Sequence, residues 1–122
     1  EVLRVLKPNG TFIVNQNGSD NLHEFLSMYM PFKMRGVWDM NSCAMTLADA
    51  GFEVVETKED RGYIRFHNLR QIQTYFRKVA PEVAENIPQY KSFYMHALDE
   101  IKQNTYFQLT TYRFLVVAKK NF

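Results

Sequence analysis

The residues of this chain with the clearest chemical potential form a run of amides, Asn15, Gln16 and Asn17. The run comes directly after residues 11–14, an apolar stretch that predicts a short buried strand. In open α/β sheets, ligands bind beyond the carboxyl ends of the parallel strands. Amide side chains can orient a bound molecule without titrating, which suits reactions governed by positioning. We therefore predict these three residues as substrate contacts, the alternative being a polar loop with a helix cap at Ser19.

Trp38 is a further candidate contact, because other large apolar side chains lie near it in the sequence. They are Phe32, Met34, Val37 and Met40. Such a set can line an apolar substrate pocket, or it can form core beneath a loop. The core interpretation is the more frequent one, and Trp38 is kept as a predicted substrate-binding residue beside it.

The histidines offer weaker chemistry. His23 follows the amide run on a predicted helix and could act as a general base, although a lone histidine on such a helix is usually a surface residue. His67 and His96 are weaker candidates, and no metal-ligand spacing joins the three, so we predict no metal site. The single cysteine, Cys43, excludes an internal disulfide and a cysteine-based zinc cluster.

A loose basic stripe with neighbouring aromatic residues could touch RNA. Arg70 and Arg77 share a helix face by their seven-residue spacing. The other members are Arg65, Phe66 and Lys78, with Tyr63, Tyr75 and Phe76 nearby. Acidic residues balance the stripe at positions 56, 59 and 60, and the net charge is only +2. A solvated surface is the favoured interpretation, so we expect no nucleic-acid partner.

These side chains are positioned by alternating helices and strands. The spacing of Val2, Leu3, Val5 and Leu6 predicts the buried face of a helix. Pro8 ends it, and a tight turn at residues 9–10 leads into the strand at 11–14. Helix, turn and strand in this order are one half of a crossover in an α/β sheet.

The remaining elements follow from caps, breakers and periodicity. A helix is predicted from Ser19 or Asp20 to about residue 30, and another from its cap at Asn41 to Ala50. The other predicted elements are a strand over 52–57, a turn at 60–62, helices over about 68–80 and 89–103, and a strand over 107–118.

The opening segment reads EVLRVLKPNGTFIV, and NQNGSDN, ADAGFEVVETKE, RFHNLRQIQTYFRKV and TTYRFLVVAKK follow in order. The opening resembles the segment between the fourth helix and the fifth strand of class I S-adenosylmethionine-dependent methyltransferases. Asn9 replaces the first glycine of that family's pattern, a mild departure because Asn tolerates left-handed backbone. The order and spacing of the later segments resemble the carboxy-terminal half of one small-methyltransferase branch, over essentially the whole chain.

The resemblance implies an α/β fold in which residues 1–122 are one partial Rossmann-like domain. Residues 1–60 would supply strand five, a helix and strand six, and residues 107–122 would supply the antiparallel strand seven. Residues 61–106 would form a helical lid inserted between strands six and seven. Strand seven would lie between the other two in the sheet.

The resemblance also implies what this chain lacks. The family's glycine-rich turn and ribose-binding acidic residue belong to the amino-terminal half, and the five glycines here are scattered. S-adenosylmethionine is therefore expected as a cofactor of the parent protein alone, with no cofactor-binding residue in this chain, which by itself is expected to be inactive. Without strand four, residues 11–16 would present an open strand edge, so we expect the partner to be the missing half or a second copy.

Two further expectations come from composition. No apolar run is long enough to span a membrane, and the lone cysteine fits a reducing cytoplasm. Three functions stay open: half of a methyltransferase acting on a small molecule, half of an RNA methyltransferase, or a non-catalytic α/β module that dimerises or binds an apolar ligand.

Overall fold

The computed structural model describes residues 2–29 and 38–121. The helices are α1 (Val2–Val5), α2 (His23–Tyr29), α3 (Met40–Asp49), α4 (Leu69–Val79), α5 (Pro81–Glu85) and α6 (Lys91–Asn104). The strands are β1 (Thr11–Asn17), β2 (Glu53–Phe66) and β3 (Phe107–Lys119). The fold is therefore α/β, as the sequence predicted.

The three strands form one sheet in the order β1-β3-β2. β1 and β3 are antiparallel, with Thr11 opposite Lys119 and Asn17 opposite Arg113. β2 and β3 are antiparallel as well. Arg61 lies over Tyr112, and the next residue of β2, Gly62, lies beside Thr111, the preceding residue of β3. The last strand of the chain thus lies between the other two, the position that the methyltransferase resemblance implies.

The chain divides into two compact units, one of residues 1–62 and 110–122 and the other of residues 63–109. The core of the first unit lies between α3 and one face of the sheet. Alternation along β3 puts Tyr112, Phe114 and Val116 on this face, and the helical spacing of Cys43 and Leu47 presents both residues of α3 to it. The sheet face and the helix stripe together bury the apolar side chains that hold β1 and α3 in place.

The second unit has an aromatic core. Phe93 packs edge-on against Phe76 and Phe107, with ring centroids 5.4 and 5.6 Å apart. Ile72 of α4 is fully buried. Tyr94 is buried as well, and its hydroxyl donates to the Val83 carbonyl at 2.8 Å. α4 begins as the sequence predicted, because the side chain of Asn68 accepts from the Gln71 amide at 2.9 Å.

Several predicted boundaries are wrong. β2 runs through residues 60–62 without the predicted turn. The reason is that β2 lies at the edge of the sheet, where charged residues are tolerated, and Arg61 is held by its contact with the Tyr112 ring at 3.8 Å. An additional short helix, α5, also lies between the two helices that the sequence predicts over residues 68–103.

The caps of α2 and α3 differ from the prediction. α3 is capped by Asp39, whose carboxylate accepts from the Ser42 amide at 2.8 Å, and Asn41 lies inside the helix. The hydrogen bond from the Ser42 amide is also the main reason that the pKa of Asp39 lies below its usual value. α2 begins only at His23, after Leu22 adopts a left-handed φ of 54°.

The buried face predicted for α1 is only half buried. Leu3 and Leu6 pack against the core of the first unit, whereas Val2 and Val5 are 39% and 62% exposed. Ile13 on β1 is 59% exposed as well. The described residues thus leave apolar side chains uncovered on α1 and, on the opposite face of the sheet from the core, on β1.

Candidate functional site

The end of β1 divides the predicted substrate contacts between two faces of the sheet. The strand continues through residue 17, so the amide run lies within it and not in a loop after it. Side chains alternate along a strand, so Gln16 shares its face with Phe12 and Val14 of the core, while Asn15 and Asn17 lie on the opposite face. Only one of the three amides therefore lies on the core side of the sheet.

Gln16 and Trp38 are brought together by a direct hydrogen bond. The indole Nε1–H of Trp38 donates to Oε1 of Gln16 at 2.8 Å. The Trp38 ring also lies edge-on to Phe114, at 6.3 Å between centroids, and Phe114 is the residue opposite Gln16 on β3. Trp38 is half-buried and packs against the core, so it contacts both the core and the amide.

Ser19 holds the backbone of Trp38 in this position. The Ser19 amide donates to the Trp38 carbonyl at 2.7 Å, and the Trp38 amide donates to the Ser19 hydroxyl at 2.8 Å. The hydroxyl in turn donates to the Trp38 carbonyl at 3.1 Å. The predicted helix cap at Ser19 is therefore wrong, since this side chain joins two loop segments instead.

Tyr112 lies under the same segment and connects three elements. Its hydroxyl accepts from the Met40 amide at the start of α3, at 3.0 Å, and donates to Oε2 of Glu59 on β2, at 2.9 Å. The side chain is almost completely buried. Burial raises the pKa of the Tyr112 phenol, and the Glu59 carboxylate adds to the shift. The hydroxyl is thus kept protonated and acts as a structural donor.

Gly18 makes the close approach of Tyr112 possible. A Cβ at this position would lie 2.2 Å from Cε2 of the Tyr112 ring and 2.9 Å from the Trp38 carbonyl oxygen. Carbon atoms in contact are normally about 3.5 Å or more apart. The absence of a side chain at Gly18 therefore lets Tyr112 and Trp38 meet at the end of β1.

Charged groups surround the exposed side of this cluster. The Arg61 guanidinium lies 3.8 Å from the centroid of the Tyr112 ring and 3.2 Å from Oδ2 of Asp20. The hydrogen bond to Asp20 is the main reason that the pKa of Arg61 is raised, so the side chain stays cationic. The cluster thus offers a fixed cation beside its aromatic residues.

Glu24 anchors α2 to β3. Its carboxylate accepts from the Thr110 amide at 2.9 and 3.1 Å and from the Thr110 hydroxyl at 2.6 Å. Partial burial opposes ionisation, but the hydrogen bonds from Thr110 and the neighbouring His23 outweigh it, so the pKa of Glu24 lies below 4.5. Asn21, just before α2, makes a second contact with β3, because its Oδ1 accepts from the Tyr112 amide at 2.9 Å.

None of the histidines lies in this cluster. His23 is 46% exposed on α2, and its Nε2 lies 3.4 Å from Oε2 of Glu24. His67 contacts the Thr105 carbonyl, and His96 lies 4.0 Å from Glu100. In residues 2–29 and 38–121 no three histidine, cysteine or acidic side chains are grouped so as to hold a metal ion.

The free thiol and the remaining apolar candidates add little chemistry. Cys43 is buried, and burial raises the pKa of its thiol, which disfavours the reactive thiolate. Met40 is partly buried against the core. Phe32, Met34 and Val37 lie outside the described residues.

Part of the predicted basic stripe lines a cleft. Arg65, Arg70 and Lys78 line one cleft within the second unit, and Arg77 is not among its lining residues. The seven-residue spacing does place Arg70 and Arg77 on one face of α4, but only Arg70 of the two lines the cleft. Across the described part of the chain, no helix is both long and apolar enough to cross a membrane.

Sequence reasoning missed Gly18, Tyr112 and Glu24. Gly18 follows the amide run directly, and a glycine at the end of a strand is a recognisable signal for close approach of another group. Nothing in the sequence distinguishes Tyr112 from the other tyrosines, since its partners come from distant segments of the chain.

No protein-family model matches the sequence, and no curated protein matches it. Among solved structures, the chain is similar to a crystal structure from Bacillus halodurans that is described as a "putative methyltransferase". The match has a TM-score of 0.61 and 15% sequence identity, and it covers 98% of this chain and 55% of the other. The chain thus has a methyltransferase-like fold and spans about half the length of that structure.

Proposed function

We propose that this chain is the carboxy-terminal, substrate-side half of an S-adenosylmethionine-dependent methyltransferase whose acceptor is a small molecule. The observation that carries the proposal is the structural match, which extends over 98% of this chain but only 55% of the methyltransferase-like structure. The sheet order β1-β3-β2 supports it. In this proposal β1, β2 and β3 are strands five, six and seven, and residues 61–106 are the helical insertion between the last two.

The cofactor belongs to the other half of the parent protein. A cofactor cradle in this fold needs a glycine-rich turn where the backbone can approach the ligand closely. The glycine at the end of β1 does not serve this purpose, because the Tyr112 ring and the Trp38 carbonyl already fill the space beside Gly18. The described residues therefore do not fit S-adenosylmethionine, and we assign no cofactor contact to them.

Gln16 and Trp38 are the residues that we propose to contact the acceptor. The Gln16 carbonyl oxygen is held by the Trp38 indole, which fixes the direction of the amide and leaves its NH₂ group as the donor. The ring of Trp38 is only half-buried and adds an apolar surface beside that donor. Asn15 and Asn17 are retained as candidate contacts, but they lie on the other face of the strand.

The exposed apolar side chains of α1 and β1, together with the open edge of β1, are the proposed contacts with the missing half. Val5 is 62% exposed on α1, and Ile13 is 59% exposed on the outer face of β1. An apolar cavity of about 550 Å³ in the first unit is lined by residues of α1, α3 and β1, including Leu3, Phe12 and Leu47. β1 is also at the edge of the described sheet, where a further strand can pair.

The open edge of β1 also favours one alternative, a non-catalytic module that dimerises through this strand. Two observations together distinguish the enzyme half from the dimerising module. They are the oligomeric state of the 122-residue chain in sedimentation and the coding sequence upstream of Glu1. A stable dimer with an initiation codon directly before Glu1 would support the module. An upstream reading frame of roughly one further hundred residues with a glycine-rich turn after a strand supports the enzyme half.

The proposal is tested by assaying the product of the full reading frame for turnover of S-adenosylmethionine against a panel of small-molecule acceptors. Trp38→Leu and Gln16→Leu should each lower kcat/KM for the acceptor at least tenfold, which corresponds to about 1.4 kcal/mol. Met45→Ala is the control, since Met45 is 66% exposed on α3. Turnover with RNA alone would refute the small-molecule acceptor, and unchanged kinetics in both variants would refute the assignment of the site.

A further inference from the structure

The second unit contains a cleft whose chemistry is separate from methyl transfer. Its volume is about 430 Å³, and it is lined by Arg65, Phe66, Arg70, Gln71, Thr74, Tyr75 and Lys78. Three of these residues are cationic and none is acidic. We propose that the cleft binds a small phosphomonoester that carries an aromatic group, with the phosphate on the cations and the ring on the aromatic wall.

One face of α4 supplies most of the polar groups. Arg70, Thr74 and Lys78 recur at intervals of four residues and therefore lie on one side of the helix. Within the described residues, neither Arg70 nor Lys78 has an acidic side chain within 4 Å. Acidic side chains of the described ranges thus do not neutralise these two charges, and a ligand anion can do so.

Arg65 is held in place before any ligand arrives. Its guanidinium carbon lies 4.6 Å from the centroid of the Tyr63 ring and 4.3 Å from that of Tyr106. Its Nε donates to Oε1 of Gln108 at 3.0 Å. These contacts restrict the side chain, so less conformational entropy is lost when its terminal amino groups bind an anion.

Gln71 is oriented in a similar way. Its Oε1 accepts from the His67 amide at 2.7 Å, so the NH₂ group of the same side chain is the part that can donate to a ligand. Thr74 contributes less, because its hydroxyl already donates to the Arg70 carbonyl at 2.8 Å. The cleft therefore combines three cations with one neutral donor.

The aromatic wall determines the rest of the ligand. The rings of Phe66 and Tyr75 lie 5.5 Å apart at an angle of 59°, and Phe66 is 3% exposed. Phe66 is already buried by the protein, so the half-buried ring of Tyr75 is the part of this wall that a ligand can cover. An inorganic anion would leave that ring uncovered, whereas a ring attached to the phosphate would pack on it.

A small ligand fits these observations better than an RNA strand. The volume of the cleft lies within the range of about 300–1,000 Å³ that is typical of small-molecule sites. An RNA groove needs cations that follow the backbone over several nucleotides. Here the cations converge on one cleft, and Arg77, the neighbouring cation on α4, is not part of it.

The proposal is tested by calorimetric titration of AMP into the 122-residue chain at physiological ionic strength, with adenosine, inorganic phosphate and a single-stranded RNA octamer as comparison ligands. AMP should bind at least tenfold more tightly than adenosine or phosphate alone. The double variant R70E/K78E should lose at least tenfold in AMP affinity. All substituted side chains are exposed, so circular dichroism should show an unchanged fold.

Arg77→Glu is the matched control, because it makes the same charge change on the same helix outside the cleft. It should alter AMP affinity by no more than about twofold, since charges beyond the site are screened at this ionic strength. Failure of AMP to bind at millimolar concentration would overturn the proposal. Binding of the RNA octamer without AMP binding, or equal losses in R77E and R70E/K78E, would overturn it as well.

Discussion

Substitution of Gly18 by alanine should strongly destabilise the first unit. The added methyl carbon would lie 2.2 and 2.3 Å from two carbons of the Tyr112 ring and 2.9 Å from the Trp38 carbonyl oxygen. Normal carbon contacts are about 3.5 Å, so the ring would have to move by more than 1 Å. It cannot do so freely, because its hydroxyl is bonded to the Met40 amide and to Glu59.

The expected cost is about 2–3 kcal/mol in the free energy of unfolding, the upper part of the range for overpacked cores. Urea unfolding measures it, with emission from Trp38 as the signal, since this is the only tryptophan in the sequence. The native emission should also shift, because the Trp38 carbonyl lies beside the new methyl group.

Gly62→Ala provides the matched control. A Cβ there meets only the Thr111 hydroxyl, at 3.2 Å, so the cost should stay within about 0.5 kcal/mol. A Gly18→Ala variant as stable as Gly62→Ala, with unchanged Trp38 emission, would refute the packing described at the end of β1.

Three further predictions concern the same unit. Gln16→Leu should change the indole N–H resonance of Trp38 in a proton–nitrogen correlation spectrum and cost about 0.5–1.5 kcal/mol, whereas Asn15→Leu, on the other face of β1, should leave that resonance in place. The pKa of Glu24 is depressed in the folded protein, so its contribution to stability is present above pH 4.5 and is lost as the pH falls through the pKa of the folded state. The difference in unfolding free energy between the wild type and Glu24→Gln should therefore shrink on acidification. A constant difference in urea unfolding between pH 7 and acid would contradict this. The pKa of Tyr112 is raised above 10, so its stabilising effect is complete below pH 10 and disappears as the pH rises further; an absorbance titration should show a late-ionising component that is smaller in Tyr112→Phe, and a late component of equal size in both proteins would count against it.

Local signals in the sequence predicted several elements correctly. Asn68 caps α4, and Gly51, with a φ of 104°, ends α3 as a glycine after a helix commonly does. Asn9 adopts the left-handed φ of 61° expected of the tight turn before β1. The long run of β-branched and aromatic residues predicted β3 to within one residue. For the cap, the helix end and the tight turn, the deciding residue lies within or next to the element, and for β3 the signal is the composition of the strand itself.

The errors arise where distant segments decide the local conformation. β2 continues through residues 60–62, which are typical of a turn, because Arg61 and Gly62 face residues of β3 about fifty positions away. Ser19 was expected to cap a helix, but Trp38 occupies its hydroxyl. Such contacts cannot be inferred from periodicity, since they depend on which strands become neighbours.

The candidate site was predictable in part. Gln16 and Trp38 were both expected to contact substrate, and the structure joins them by a hydrogen bond. Asn15 and Asn17 were predicted as contacts too, because residues 15–17 were expected to follow the strand as a loop, in which side chains do not alternate between two faces. Once the strand extends to residue 17, the alternation of side chains separates the three amides.

Calorimetric titration of S-adenosylmethionine tests the proposed division of the enzyme most directly. It should be carried out on the 122-residue chain and on the product of the full reading frame that encodes it, with intact mass spectrometry of both samples. We expect no binding to the chain, at a mass of 14.4 kDa, and micromolar binding to the longer product. Binding to the chain alone, or no binding to either protein, would contradict the proposal that this chain is the substrate-side half of a methyltransferase.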